Sequence, residues 1–317
     1  MKFEVTSSPH IRSKKNTKSI MLDVIIALIP TLLVGVLNFG MQALLVTVVS
    51  IVSALAAEWV CGMVMYRRNT VKDLSAVVTG LLLALVLPAT VPYPVVALGS
   101  AFAIIVVKGF CGGLGKNIFN PALAARALLM LVCPVYLIRF AAPGTAGVDM
   151  VASATPLHHM QMPALPEESL MDMFLGNIGG CIGEVSTLAL LAGGAYLIYK
   201  KVISLRIPAA YLGTVAVLSL VFAKGDNAVG WMLYSLLGGG VVLGAIFMAT
   251  DYATSPVTPK GQIYYGIGCG ILTVIFRYYG LFPEGVTYAI LLMNACVWAI
   301  DAYTAPRRFG TGKGEKV

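Results

Sequence analysis

Long apolar runs separated by short polar knots set the pattern of this chain. Hydrophobic residues dominate 20–38, 42–66, 74–87, 95–108, 120–138, 178–199, 207–223, 230–250, 263–277 and 287–303, and most of the charge lies between these runs. A helix of about 20 apolar residues matches the hydrocarbon thickness of a bilayer. The pattern therefore predicts an all-α polytopic membrane protein of about ten transmembrane helices, some of them broken. Pro88, Pro92 and Pro94 follow the third run and Pro256 follows the eighth. Proline removes a helical N–H and clashes with the preceding turn, so each cluster marks a stop.

Cations set the orientation. Lys2, Arg12, Lys14, Lys15 and Lys18 precede the first run, and further clusters stand at Arg67, Arg68 and Lys72, at Lys108 and Lys116, and at Lys200, Lys201 and Arg206. Arg307, Arg308, Lys313 and Lys316 follow the last run. Alternating spans put all of these on one face, which the positive-inside rule makes cytoplasmic. Residues 1–19 then read as a polar, basic cytoplasmic segment rather than a cleavable signal peptide, and 304–317 as a cytoplasmic tail. The loop 139–175 has Arg139 as its only cation and carries Asp149, Glu167, Glu168 and Asp172. It is expected outside the cytoplasm.

The two flanking blocks, 20–138 and 176–303, echo each other. Gly80-Leu-Leu-Leu-Ala84 with Pro88-Ala-Thr90 parallels Gly244-Ala-Ile-Phe-Met248 with Pro256-Val-Thr258, and each is followed by a span ending in a cation, Lys108 or Arg277. Five spans per block make the second copy cross in the opposite sense, the inverted-repeat plan of many transporters. Two unrelated proline breaks are the plainer account of the same echo.

Composition narrows the classes. Of 317 residues, 58% are hydrophobic and 11% charged, whereas soluble domains carry about 25% charged residues. The net charge of +8 belongs to loops, and with no basic stripe interleaved with aromatics a nucleic-acid partner is not expected. Six cysteines stand singly, with no CxxC pair. That pattern predicts neither a disulfide framework nor a metal site, nor an iron–sulfur cluster built by this chain alone. No GxGxxG follows a strand, so no nicotinamide site is expected here.

Two stretches carry candidate chemistry. In the loop, Ser153-Ala154-Thr155-Pro156 leaves one hydroxyl sterically open, because proline biases Thr155 toward an extended backbone, and a long loop usually has a function. Threonine before proline is also an ordinary turn residue. His158 and His159 are expected to be solvated. The second stretch runs from Lys108 to Ala122. Gly113 and Gly115 would let backbone approach a planar ring, and Asn117 and Asn120, three apart, would share a helix face. Asn120-Pro121 is equally a plain helix opening. Among ionisable residues in or beside spans, Asp23, Asp251 and Asp301 sit near predicted ends. Glu58, Arg126 and Glu184 are costly in lipid and read equally as an ion path, with Asp251, or as an internal ion pair.

Taken together, Gly115-Lys-Asn117-Ile-Phe-Asn120-Pro-Ala, the Ser153-Ala-Thr155-Pro-Leu island and Thr250-Asp251-Tyr-Ala-Thr-Ser-Pro256 resemble one known family. It holds the D subunits of Rnf electron-transport complexes and the B subunits of sodium-pumping NADH:quinone reductases. The resemblance spans essentially the whole chain, and the absence of a long N-terminal extension favours the Rnf branch. It implies an FMN phosphate esterified to Thr155, although Ala152 and Ser153 stand where the motif usually has Ser/Thr and Gly. It also implies a second, non-covalent flavin, riboflavin or FMN, near the cytoplasmic face at Asn117 and Asn120, and a urea-transporter-like architecture. The implied role is a membrane subunit of a ferredoxin:NAD+ oxidoreductase coupled to Na+ or H+ export in a bacterial cytoplasmic (inner) membrane. Its partners would be flavin-bearing and iron–sulfur-bearing subunits, membrane lipid, and a flavin transferase for maturation. The competing expectation is a stand-alone channel or secondary transporter for a small polar solute, which has no need of the 153–156 island.

Overall fold

The computed structural model describes residues 16–66, 71–143, 152–153, 166, 168–224, 227–280 and 285–306. Helix α1, Thr17–Phe39, opens on a capping box in which Asn16 and Ser19 each bond the other's backbone. Gly40, at φ 69°, then turns the chain into α2, Met41–Cys61, which runs on through a π-helical turn over Gly62–Tyr66. On α1 the exposed side chains include Leu22, Ile26, Ile29, Leu33 and Leu37, whereas Thr31 and Gly35 are buried. A helix apolar on its outer face is made for lipid, not water.

Helix α3, Ser75–Leu85, is short and almost wholly buried. Gly80 lets it lie against α2, since a Cβ there would stand 2.9 Å from Ile51 Cα. Such close approach through small residues drives helix packing in membranes. Helix α4, Tyr93–Phe102, continues as a π-helix over Ala103–Gly109. Helices α5, Pro121–Val132, and α6, Pro134–Leu137, complete the first block. The expected fifth span thus breaks at Cys133, before Pro134.

Two short strands qualify the all-α expectation. Strand β1, Phe140–Ala141, pairs antiparallel with β2, Ala152–Ser153, Phe140 facing Ser153 and Ala141 facing Ala152. The Thr90 hydroxyl donates to Arg139 O at 2.6 Å, tying the foot of this pair to the turn after α3.

After α7, Leu170–Leu175, the chain does not enter the expected sixth span at 178. Helix α8 is Thr187–Tyr199, and 177–186 is non-helical and largely buried. Backbone amides explain the difference. Gly183 N donates to Leu85 O at 2.7 Å and Ile182 N to Leu87 O at 3.1 Å, closing carbonyls that the end of α3 leaves open. Hydropathy alone does not separate such buried coil from helix.

Helix α9, Arg206–Val221, packs along α12, Pro259–Tyr279, through Gly266 and Gly270. Between them α10, Ala228–Leu237, bends by 59° at Gly238–Gly240 into α11, Val241–Leu243, which extends as a π-helix over Gly244–Met248. Helices α13, Val286–Ala295, and α14, Val297–Thr304, form a second bent pair at 53°. Among the described residues, α1 and the α2 segment are long and apolar enough to cross a bilayer singly, and each bent pair passes the same test as one span. Pro88 and Pro92 fall in the non-helical segment 86–92 and Pro256 in 249–258, so the third and eighth runs do stop there, and a further break inside the eighth run stands at the glycine run 238–240.

Two short helices, one in each block, share local features. Helices α3 and α11 are both short and buried, and both begin after a left-handed residue, Leu74 at φ 64° and Gly240 at φ 67°. A buried cation reaches the start of each: Lys108 Nζ donates to Ser75 Oγ at 2.6 Å, and Arg277 Nη2 to Gly238 O at 2.8 Å. One apolar core spans both blocks, with Leu83, Leu129, Ile182 and Phe247 among its members. An apolar exterior around buried charges marks an integral membrane protein.

Candidate functional site

Where the first turns of α1 and α3 meet the loop before α5 and the end of α11, the chain encloses a cavity of about 790 Å³, counting its open mouth. Small-molecule sites combine apolar walls with a few fixed polar groups. Here the walls include Met21, Val24, Leu82, Leu114 and Phe247, and the polar groups include Thr79, Lys108, Asn117, Asn120 and Asp251. Both sequence blocks contribute.

The two asparagines have different tasks. Asn120 is the N-cap of α5, its Oδ1 accepting from Ala122 N at 3.1 Å, while its Nδ2 donates to Met248 O at 3.2 Å. It therefore pins the start of α5 to the end of α11. With the Asn294 amide oriented by its partners, Asn294 accepts from Asn120 N and donates to Thr254 O at 3.1 Å each, extending the pin to the loop after α11. Asn117 is 6% exposed, and its Oδ1 is buried with no hydrogen-bond partner. Such orphaned acceptors are rare and costly. One that lines a cavity is a fixed acceptor for a ligand's donor.

Gly113 and Gly115 do not line the cavity. Their φ values of 93° and 85° instead make the left-handed turn that brings Leu114 to the wall. Lys108, expected in a cytoplasmic segment, is 3% exposed. Its Nζ donates to Glu58 Oε2 at 2.8 Å and to Ser75 Oγ, which in turn donates to Asp73 Oδ1 at 2.6 Å. Sequence separations of 50 and 33 residues hid this cluster. The available signal was that Glu58 is the only acid inside the apolar runs of 42–138 and needs a cation.

Arg126 and Glu184 form a separate buried pair, Nη1 to Oε1 at 2.9 Å, with Arg126 Nη2 3.5 Å from Cys181 Sγ. Glu184 lies against Gly240, where any Cβ would overlap its carboxylate. Glu58, Arg126, Glu184 and Asp251 thus fall in three places: two pairs stand at two short-helix starts, and Asp251 lines the cavity and accepts from Thr254 Oγ1 at 3.2 Å. Asp23 accepts from Tyr196 OH at 2.9 Å, and Asp301 from Val257 N at 3.1 Å. Of the loop motif, Ser153 contributes its backbone to β2, while Ala154, Thr155, Pro156, His158 and His159 lie outside the described residues.

A family model described as the NQR2, RnfD, RnfE family matches residues 4–310. The chain belongs to that family. It is 48% identical to the D subunit of the Na(+)-translocating ferredoxin:NAD(+) oxidoreductase complex of Acetobacterium woodii, over 100% of this chain and 98% of that protein. It is 43% identical to the D subunit of the proton-translocating ferredoxin:NAD(+) oxidoreductase complex of Clostridium ljungdahlii, over 98% and 96% of the two chains. It is also 36% identical to the D subunit of the ion-translocating oxidoreductase complex of Shewanella amazonensis, over 98% and 99%. The likeness is to the D-type branch of the family and runs end to end, so it covers both the cavity and the 139–175 loop. Relatives named for Na+ and for protons stand at similar identity.

Proposed function

We propose that the chain is the D-type membrane subunit of an ion-translocating ferredoxin:NAD+ oxidoreductase. In this reading it carries electrons between FMN, esterified through its phosphate to Thr155, and a non-covalent riboflavin or FMN in the Asn117–Asn120 cavity. The observation that carries the reading is the buried, partnerless Asn117 Oδ1 in a cavity with apolar walls. A flavin fits that donor set, because its ring has broad apolar faces and one polar edge that bears an imide N–H. The isoalloxazine supplies the one- and two-electron chemistry, and the protein supplies position and electrostatics.

The residues then divide as follows. Asn117 accepts from the ring's polar edge, and Leu82, Leu114 and Phe247 exclude water from its faces. Asn120 holds the two blocks at fixed spacing across the site. Thr155 spends its hydroxyl in the phosphoester and is an anchor, not a nucleophile in turnover. Ten spans in two inverted five-helix blocks, with both termini cytoplasmic and Thr155 outside in a bacterial inner membrane, would put the two flavins toward opposite faces. Iron–sulfur and nicotinamide sites fall to partner subunits, a flavin transferase loads Thr155, and electron flow drives Na+ or H+ export.

The test is a denaturing gel of the purified complex viewed under ultraviolet light. The chain's band fluoresces yellow-green, and Thr155→Val is dark. Extraction with denaturant releases a second flavin, which Asn117→Leu lacks. A dark wild-type band from cells that possess the flavin transferase would replace this reading with a conduit for a small polar solute.

A further inference from the structure

The buried pair beside the cavity has a direction. Lys108 lines the cavity, whereas Glu58, which holds its Nζ at 2.8 Å, is not part of the lining and lies behind it. Both side chains are 4% exposed, so water screens them little, and charges in such surroundings act over longer range than at a surface. Helix α3 lines the cavity through Ser75, Val78, Thr79 and Leu82 of its first turns. Its start is closed by Asp73, whose Oδ1 accepts from Ser75 N at 2.9 Å and from Ser75 Oγ at 2.6 Å and which, like Glu58, is not part of the lining. Lys108 and the orphaned Asn117 acceptor thus meet on one ligand.

We propose that the Lys108–Glu58 pair is a fixed dipole, positive end toward the cavity, that raises the reduction potential of the ring bound there. The proposal rests on the non-covalent flavin of the preceding section. When a one-electron donor reduces that ring, one electron moves to it and no bond to the protein forms or breaks. The ring gains one negative charge until a proton follows from water. Lys108 lies nearer that charge than Glu58 does, so the pair stabilises the reduced form although its net charge is zero. Lys108 is here a positioning and tuning residue, not a catalytic one.

The experiment is a dithionite titration of the purified complex, followed by flavin absorbance, with the covalent flavin as internal reference. Removing the cation in Lys108→Met lowers the potential of the non-covalent flavin, and removing the anion in Glu58→Gln raises it. The double variant falls below wild type, and Lys108→Arg, which keeps the charge, stays near it. Shifts of the same sign in the two single variants, or none, overturn the proposal, because a merely structural pair has no reason to respond in opposite directions. Should Lys108→Met lose its flavin, Glu58→Gln decides: a rise supports the dipole, and no rise overturns it. Loss of flavin from all three charge-removing variants while Lys108→Arg keeps it assigns the pair a structural role and also overturns the proposal. A wild-type complex that releases no second flavin on denaturation removes the flavin reading itself, an outcome separate from any pattern of shifts.

Discussion

Lys108–Glu58 and Arg126–Glu184 are both buried ion pairs, with contacts of 2.8 and 2.9 Å, and both stand at the left-handed start of a short helix. Their surroundings differ. The lysine has a cavity on its open side, while Glu184 is packed where a side chain at 240 would be, and Arg126 also reaches the buried Cys181 Sγ. A point charge on a flexible stem is suited to a site that must accommodate a ligand. A planar fork with fixed donors is suited to locking two segments together. One structural device, a charge pair at a half-helix start, thus borders a cavity where the protein leaves space and pins segments together where it does not.

The largest expected effect tests the pin. Arg126→Met leaves Glu184 buried without its cation, and breaking one side of a buried pair costs about 3–5 kcal/mol. Thermal unfolding of the complex in detergent is expected to show that loss, and Arg126→Met/Glu184→Gln to recover much of it. Lys108→Ala is expected to cost less, because Lys108 lines the cavity and the space its side chain vacates lets water reach Glu58 behind it. Equal losses at the two sites would erase the distinction drawn above.

Next comes the ligand side. Asn117→Leu removes the orphaned acceptor at little cost to folding, and a hydrogen bond to a buried group is worth about 1–3 kcal/mol. Affinity for the non-covalent flavin, read as its retention through gel filtration, is expected to fall by about 5- to 150-fold on that basis, with fluorescence of the covalent flavin unchanged. Undiminished retention would move the ligand away from Asn117.

How much of this is legible in the sequence follows from what a bilayer enforces. Apolar runs must appear wherever helices meet lipid, so the segments around α1, α2, α9 and α12 are readable from hydropathy. The start of the sixth run is not, because 177–186 is shielded by protein rather than lipid and hydropathy scores both alike. There Gly179, Gly180 and Gly183 are the local sign, glycine being a poor helix former. Asn117 and Asn120 are visible as a pair, but their division of labour depends on Met248, 128 residues from Asn120. Glu58, Arg126 and Glu184 stand out as charges inside apolar runs. The partner of Glu58 does not, since a rule that counts loop cations assigns Lys108 to the cytoplasmic face and has no way to sense a lysine folded back against α2.

A smaller effect is expected at Gly240. At φ 67° a side chain is strained, and its Cβ would overlap Glu184. Gly240→Ala should therefore cost about 1–3 kcal/mol, the usual toll of a disfavoured backbone conformation, read as a lower unfolding temperature. In a Glu184→Ala background the overlap is gone but the backbone strain is not, so Gly240→Ala still lowers the unfolding temperature there, by less. No further loss in that background would mean that steric overlap alone is at stake.

The smallest effect concerns the matching position in the first block. Leu74 adopts nearly the same φ, 64°, without being glycine. A left-handed conformation costs an L-residue about 1–2 kcal/mol, so Leu74→Gly relieves strain. It also removes a half-buried side chain beside the cavity rim and gives the unfolded chain more freedom, which together offset about the same amount. The net change in unfolding temperature is therefore expected to be near zero, with flavin retention unaltered. A clear loss of flavin from Leu74→Gly would show that the left-handed leucine is held in place to shape the start of α3 for the ligand, and that the two helix starts differ in backbone as well as in charge.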